Sequence, residues 1–209
     1  MTPRPRNRKG IPRRAPTREK LPIVLIVCEG AKTEPYYFEA LCLKWRLMGG
    51  DVETVDIHGH DCGNAPINVV DRAIELRKER KKRNKRDGTP LYDKVWCVFD
   101  KDSHSSFDQA CDKARRAGLV PACSDPCFEF WYLLHFEHTS SQFSDCASVK
   151  VRLRKHVPDY SENEVPFADI EAGLDDAIKR ASSLRNGVIM SPYTYVDELV
   201  LYLKSIKEQ

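Results

Sequence analysis

The chain has 209 residues and a formal net charge of +3, and 31% of its residues are charged. This length suits one substantial core with an appendage, or at most two small domains. No apolar run approaches the roughly 20 residues of a membrane-spanning helix, which argues against a membrane protein and predicts a cytoplasmic location.

Positive charge is concentrated at the start of the chain. Residues 1–20 hold eight Lys or Arg against one Glu, whereas the remainder holds 26 against 30 acids, a net charge of −4. The same segment is rich in Pro and lacks apolar periodicity, so we predict a disordered basic tail.

Strands and helices alternate through residues 21–140. Short runs rich in Val and Ile predict strands at 21–27, 53–57, 93–99 and 119–123. The stretches between and after them predict helices at 34–47, from 66 into a basic block, at 105–117 and at 128–136. Repeated strand–helix units predict an α/β fold, with a mostly parallel sheet flanked by helices.

Residues 141–209 have a different pattern. Apolar residues recur at helical spacing within 143–156, 167–185 and 193–206. We therefore predict a C-terminal helical extension that packs on the same core.

Acidic residues follow two of the predicted strands. Glu29 ends the run PIVLIVCEG, and Asp100 and Asp102 end the run KVWCVFDKD. The carboxyl edge of an open parallel sheet binds ligands, and side chains two residues apart on extended backbone point to the same side. Mg²⁺ prefers such oxygen ligands. Taken alone, the Asp-x-Asp motif is explained by a turn after a strand. Taken together with Glu29, it predicts a site for Mg²⁺, or for Mn²⁺ in its place.

A second basic block lies at 77–86, RKERKKRNKR, with eight positive residues and one Glu. Such blocks can neutralise nucleic-acid phosphates, although a solvated helix end is the alternative. The basic residues predicted to contact nucleic acid are Lys32, Arg77, Lys78, Arg80, Lys81, Lys82, Arg83 and Lys101.

The order of the acidic motifs resembles the Toprim domain of topoisomerases, primases and several nucleases. The whole ordered chain resembles the RloB-like family through VCEGAKTEPYYFEAL at 27–41, VFDKD at 98–102, SDPCFEFWYLLHF at 124–136 and SPYTYVDELV at 191–200. The resemblance implies a Toprim-like catalytic domain over 21–140. It also implies a role in prokaryotic antiviral defence, beside an AAA-type ATPase partner as in abortive-infection modules.

The resemblance also suggests roles for single residues. Glu29 matches the Toprim glutamate, and Asp100 and Asp102 match its two aspartates. Glu34 lies one residue later than a further acid of some Toprim nucleases, and it is also explained as an acid favoured at a helix N-terminus. Glu129 begins an aromatic helix, either at an active cleft or as an ordinary first-turn glutamate.

These residues predict a Mg²⁺-dependent endonuclease acting on DNA or RNA. Asp100 and Asp102 would hold one ion, and Glu29 would bridge it or act as general base or acid. Glu34 or Glu129 could complete a second metal site. A non-catalytic nucleic-acid-binding or regulatory subunit of an ATPase complex is the main alternative, followed by primase-like nucleotidyl transfer. The target, the number of metal ions and the oligomeric state stay open.

The remaining metal candidate is the run His58-x-His60-x-Cys62. It could bind zinc, but it lacks a fourth ligand and the spacing of a structural site, so a loop near substrate is the preferred interpretation. The eight cysteines lack the paired spacing of a zinc ribbon, and most are expected to be reduced thiols.

Overall fold

The computed structural model describes residues 21–48, 54–59, 65–101, 105–162, 164–187 and 191–208. The predicted basic tail and the candidate residues His60, Cys62 and Asp102 lie outside these ranges. Within them, no helix combines the length and the apolar character that a membrane crossing requires.

The strands are β1 (Val24–Cys28), β2 (Val55–His58), β3 (Lys94–Asp100), β4 (Val120–Asp125) and β5 (Tyr193–Thr194). The helices are α1 (Thr33–Lys44), α2 (Pro66–Asp87), α3 (Phe107–Arg116), α4 (Glu129–Phe136), α5 (Cys146–Leu153), α6 (Phe167–Ile170), α7 (Leu174–Asn186) and α8 (Val196–Lys207), with a short 3₁₀ turn at Glu171–Gly173.

The five strands form one sheet in the order β2-β1-β3-β4-β5. The first four are parallel, and β5 runs antiparallel to β4. This architecture confirms the predicted α/β fold. The chain moves from β1 to β2 on one side and then crosses to β3 on the other, so the winding direction reverses between β1 and β3. Ligands bind at this kind of switch point, outside the carboxyl ends of the strands.

Both faces of the sheet are buried. In β1, Val24, Ile26 and Cys28 pack into a cluster with α1 and α4. Leu25 and Val27 point the other way and pack against α2 and α3. This alternation of buried residues on two faces explains why the strand is a continuous apolar run. Each fully buried aliphatic side chain contributes about 1.5–3 kcal/mol to stability.

The C-terminal segment shares the first of these clusters. Val149, Leu184 and Val200, from α5, α7 and α8, pack with the sheet and with the aromatic helix α4. An aromatic edge-to-face contact joins α1 to α4, with the ring centroids of Tyr37 and Trp131 6.4 Å apart. Residues before and after position 141 thus contribute to one core.

The predicted helix from Tyr193 was wrong at its start. Tyr193 and Thr194 form β5, and the Thr194 hydroxyl lies 2.9 Å from the Ser124 hydroxyl of β4. The amide of Tyr195 also donates to the carbonyl of Cys123, at 2.9 Å. The edge of β4 offered unpaired backbone groups, and pairing with them outweighed the local helical pattern. The helix begins only at Val196.

A buried ion pair ties α7 to α8. The Arg185 guanidinium donates to both carboxylate oxygens of Asp197, with Nη2 2.8 Å from Oδ2, and it also donates to the Thr194 carbonyl. The side chain of Asp197 is only 1% exposed. Removing one partner of such a pair leaves an uncompensated buried charge.

Replacing Arg185 with Met should therefore lower the free energy of unfolding by about 3 kcal/mol. The matched control is Lys204→Met, which breaks the exposed pair with Asp175 and should cost less than about 1 kcal/mol. Urea denaturation followed by circular dichroism measures both. Equal losses in the two variants would contradict the importance of the buried pair.

Candidate functional site

The ends of β1 and β3 bring two acids together. Cys28 of β1 lies opposite Val98 of β3 in parallel register. The amide of the next residue, Glu29, donates to the Val98 carbonyl at 2.9 Å. The Glu29 carboxylate in turn accepts a hydrogen bond from the Asp100 amide at 3.1 Å. The predicted pairing of Glu29 with Asp100 at one sheet edge is therefore present.

Glu34 reaches the same place from α1. Its side chain folds back towards the turn after β1, where Oε1 accepts a hydrogen bond from the Gly30 amide at 3.3 Å. A Cβ atom on residue 30 would lie 2.2 Å from Glu34 Oε2. Glycine at position 30 therefore leaves the space that the Glu34 carboxylate occupies, which gives the Glu-Gly motif a steric reason.

Glu129 is the first residue of α4 and is buried. Its Oε1 accepts a hydrogen bond from the Tyr160 hydroxyl at 3.0 Å, and the Lys150 ammonium lies 3.4 Å from the same oxygen. Sequence reasoning did not assign a role to Tyr160 or Lys150, because neither belongs to a recognisable motif. They are contributed by the segment after α4, far along the chain from the strand ends.

The four acids interact electrostatically. Burial, and after it the charges of Glu34, Glu129 and Glu29, raise the pKa of Asp100 well above its usual value. Burial is also the main cause that raises the pKa of Glu34 to about 7, with repulsion from Glu129 and Glu29 in the same direction. Backbone hydrogen bonds oppose this increase for Glu34. We call Glu29, Glu34, Asp100 and Glu129 the acid cluster.

The acid cluster offers carboxylate oxygens to a cation, although no three of its side chains place an oxygen within 4.8 Å of one another. The Asp100 residue is partly exposed to solvent. Its Oδ1 atom, however, is buried and has no hydrogen-bond partner among the described residues. An unsatisfied buried carboxylate oxygen costs free energy unless a proton or a cation neutralises it. Carboxylate oxygens are the ligands that Mg²⁺ and Mn²⁺ prefer, so these residues suit such an ion. Asp102, the third predicted ligand, lies outside the described residues.

The predicted nucleic-acid contacts fall into two groups. Lys101 and Lys32 follow Asp100 and Gly30 closely in the chain and so lie near the acid cluster. The Lys101 ammonium pairs with Asp125 at 2.8 Å and lies over the Tyr193 ring. Lys32 is exposed at the start of α1.

The basic block of α2 lies elsewhere. This 22-residue helix is about 33 Å long and runs from the carboxyl edge of the sheet back towards the amino edge. Residues 77–86 are therefore remote from the acid cluster. Within the block, Arg77 and Arg80 donate to the backbone carbonyls of Ala117 and Pro90. Within this block, the exposed members of the predicted set are Lys78, Lys81, Lys82 and Arg83.

Two further features concern the cysteines and the histidine loop. A disulfide joins Cys127 to Cys146, a bond that the sequence did not predict, whereas the other described cysteines are not disulfide-bonded. His58 is the described member of the His-x-His-x-Cys run, and its Nε2 atom lies 2.9 Å from Asp56 Oδ1.

Comparison with known proteins gives one match. A family model described as RloB-like protein matches residues 24–203, which include the described acids and nearly all the elements of the fold. Comparison with curated proteins and with solved structures found no significant match.

The raised pKa of Glu34 predicts how metal-free stability depends on pH. The folded chain keeps a proton on Glu34 up to about pH 7, whereas the unfolded chain releases it near 4.5. The free energy of unfolding should therefore fall as pH rises through this window, in buffer containing a chelator. Glu34→Gln should flatten that fall in urea denaturation. Parallel pH profiles for the two proteins would contradict the burial of an acid here.

Gly30→Ala tests the steric link between Gly30 and Glu34. The added methyl group should displace the Glu34 carboxylate but change the free energy of unfolding by less than about 1 kcal/mol, because a flexible side chain can move away. Mg²⁺ affinity, measured by calorimetry, should fall about tenfold. The double variant with Glu34→Gln should be no weaker than Glu34→Gln alone, and additive losses would show that the two residues act separately.

Proposed function

The chain belongs to the RloB-like protein family, and from this membership together with the acid cluster we propose that it is a metal-dependent nuclease of the Toprim type. Its substrate would be the phosphodiester backbone of DNA or RNA, and its setting prokaryotic antiviral defence. The proposal extends the family resemblance, because family membership alone names no reaction.

The observation that carries the proposal is the buried Asp100 Oδ1 atom, which has no hydrogen-bond partner among the described residues, in a carboxyl group whose pKa is raised by the charges of Glu34, Glu129 and Glu29. The raised pKa values of Glu34 and Asp100 mean that ionising these buried acids costs stability, and such groups cluster at functional sites. Repulsion between these acids stabilises no fold, whereas a bound cation would neutralise it. The location at the carboxyl ends of β1 and β3 supports the same interpretation, since ligands bind open α/β sheets there.

We assign the chain's own residues as follows. Glu29 and Asp100 would hold the cation, and Asp102 would join them as the matching second aspartate. Mg²⁺ bound there would polarise a phosphoryl oxygen and lower the pKa of a water molecule. Glu34, with its pKa near 7, suits the transfer of a proton at neutral pH. Glu129 would stay oriented by the Tyr160 hydroxyl as a further ligand or acid.

Contacts to nucleic acid would come from both groups of basic residues. Lys32 and Lys101 lie near the acid cluster and would contact phosphates beside the bond to be cleaved. The exposed basic residues of α2 would contact the backbone farther away, which adds affinity without sequence preference. An AAA-type ATPase remains the proposed protein partner on the basis of the family resemblance.

The alternative is a non-catalytic nucleic-acid-binding or regulatory subunit of an ATPase complex. It is favoured by the pairing of Lys101 with Asp125 and by the distance of the α2 block from the acids, since binding through α2 needs no chemistry at the sheet edge. The two functions differ in one respect that is simple to measure. Only the nuclease would cleave the nucleic acid, and this cleavage would require Glu29 and Asp100.

The test uses the full chain with a panel of single- and double-stranded DNA and RNA, in Mg²⁺ or Mn²⁺. Glu29→Gln and Asp100→Asn should each reduce cleavage at least about 10³-fold, because each removes a charge needed at the cation. The matched control is Asp112→Asn, an exposed acid of α3, which should leave the rate unchanged.

The outcomes separate the two functions. Metal-dependent cleavage that is lost in both acid variants supports the nuclease. Binding of nucleic acid without cleavage, equal in the native chain and in both variants, would support the alternative. Cleavage that survives both substitutions points to a contaminating nuclease or to another site, and it would overturn the proposal. The panel is run with and without an added AAA-type ATPase, the proposed partner.

A further inference from the structure

A second group of metal-ligating side chains lies beside the acid cluster. Cys127 precedes α4, Glu129 begins it and Cys146 begins α5. One sulfur or oxygen atom of each lies within 4.8 Å of the others, and this is the one such group within the described ranges. The two sulfurs are bonded to each other, with the Cα atoms 5.5 Å apart. We call these three residues the sulfur group.

We propose that reduction of the Cys127–Cys146 disulfide creates a binding site for a thiophilic divalent cation, Zn²⁺, with both thiolates and the Glu129 carboxylate as ligands. A dithiol reductant breaks the S–S bond, supplies two electrons and two protons, and leaves as its own disulfide. Zn²⁺ binding then releases the two thiol protons to solvent. Three protein ligands leave a fourth position for water.

The distances suit this ligand set. Zn–S and Zn–O bonds of about 2.3 and 2.0–2.2 Å place tetrahedral ligands roughly 3.5–4 Å apart. Cys146 Sγ already lies 3.3 Å from Glu129 Oε2. A disulfide sulfur has no proton to donate to that carboxylate, so the close approach gains no hydrogen bond in the oxidised state. Reduction lets the two sulfurs separate by the short distance that a cation between them requires.

The surroundings also suit a bound cation. Cys127 and Glu129 are 2% and 5% exposed, whereas Cys146 is half-buried and gives access from solvent. The Tyr160 hydroxyl fixes the orientation of Glu129 through a hydrogen bond to Oε1, as partners behind metal ligands commonly do. Lys150 would not be left unpaired by the cation, because its ammonium also lies 2.6 Å from Glu162 Oε1.

The ligand types distinguish this site from the acid cluster, with which it shares Glu129. Thiolates select Zn²⁺ over Mg²⁺, whereas the oxygen-only set around Asp100 favours Mg²⁺ or Mn²⁺. Cys111 and Cys123 provide an internal comparison: their thiols interact with each other, but no third ligand joins them among the residues that the structure describes. The inference does not depend on nuclease activity, since it concerns metal binding alone.

The experiment titrates the full chain, reduced anaerobically with a dithiol and freed of the reductant, with Co²⁺ and then Zn²⁺. We expect an intense thiolate-to-metal charge-transfer band that reaches its maximum at one thiolate-bound Co²⁺ per chain and that Zn²⁺ abolishes by displacement. Cys127→Ser and Cys146→Ser should lose the band, and Glu129→Gln should weaken Zn²⁺ binding at least about tenfold in competition with a chromophoric chelator. The oxidised chain should show no band.

Two control variants localise the signal. Cys111→Ser removes a thiol that lacks the third ligand, and Cys62→Ser removes the thiol of the other zinc candidate; both should keep the band. Circular dichroism verifies that Cys146→Ser is folded, which we expect because this residue is half-buried at the first position of α5. A band that persists in folded Cys146→Ser, a band lost in Cys62→Ser, or no Co²⁺ bound by the reduced chain would each overturn the proposal.

Discussion

The parallel pairing of β1 with β3 is the constraint on which the candidate site depends. Cys28 lies opposite Val98, so Glu29 and Asp100 follow at the same end of the two strands. There the Asp100 amide donates a hydrogen bond to the Glu29 carboxylate. A shift of one residue would exchange side chains between two buried faces that have different packing partners. Hydrophobic packing of the strands therefore holds Glu29 and Asp100 close together, although their negative charges repel each other.

The aromatic helix α4 gives those acids their unusual electrostatic environment. Its Trp131 ring packs edge to face with Tyr37 of α1, and its Tyr132 ring packs edge to face with Phe128, which precedes the helix, at 5.4 Å. This packing excludes water from one side of the acids, and burial is the leading cause of the raised pKa values of Glu34 and Asp100. In such a medium a cation is attracted more strongly than at an exposed surface. The same helix begins with Glu129, so one element both shields the acids from water and adds a further carboxylate to them.

Charge that is abundant in the sequence is unevenly distributed in space. The basic block of α2 is the most conspicuous feature of the composition after the N-terminal tail, yet the helix carries it towards the edge of the sheet opposite to the acids. Part of the block also serves the fold, since Arg80 donates to a backbone carbonyl and lies over the Tyr92 ring. A high density of basic residues in the sequence therefore did not indicate that those residues lie near the candidate site.

By itself, the sequence determined the alternation of strands and helices and the emergence of Glu29 and Asp100 at strand ends, because both follow from local apolar patterns and from the parallel sheet that these imply. It left Glu34 and Glu129 between two interpretations, and only the tertiary structure brought both into the acid cluster. The strand order, the edge strand at Tyr193 and the Cys127–Cys146 bond were likewise decided by the folded chain. Each depends on contacts between residues far apart in sequence, and the periodicity of a single segment does not encode such contacts.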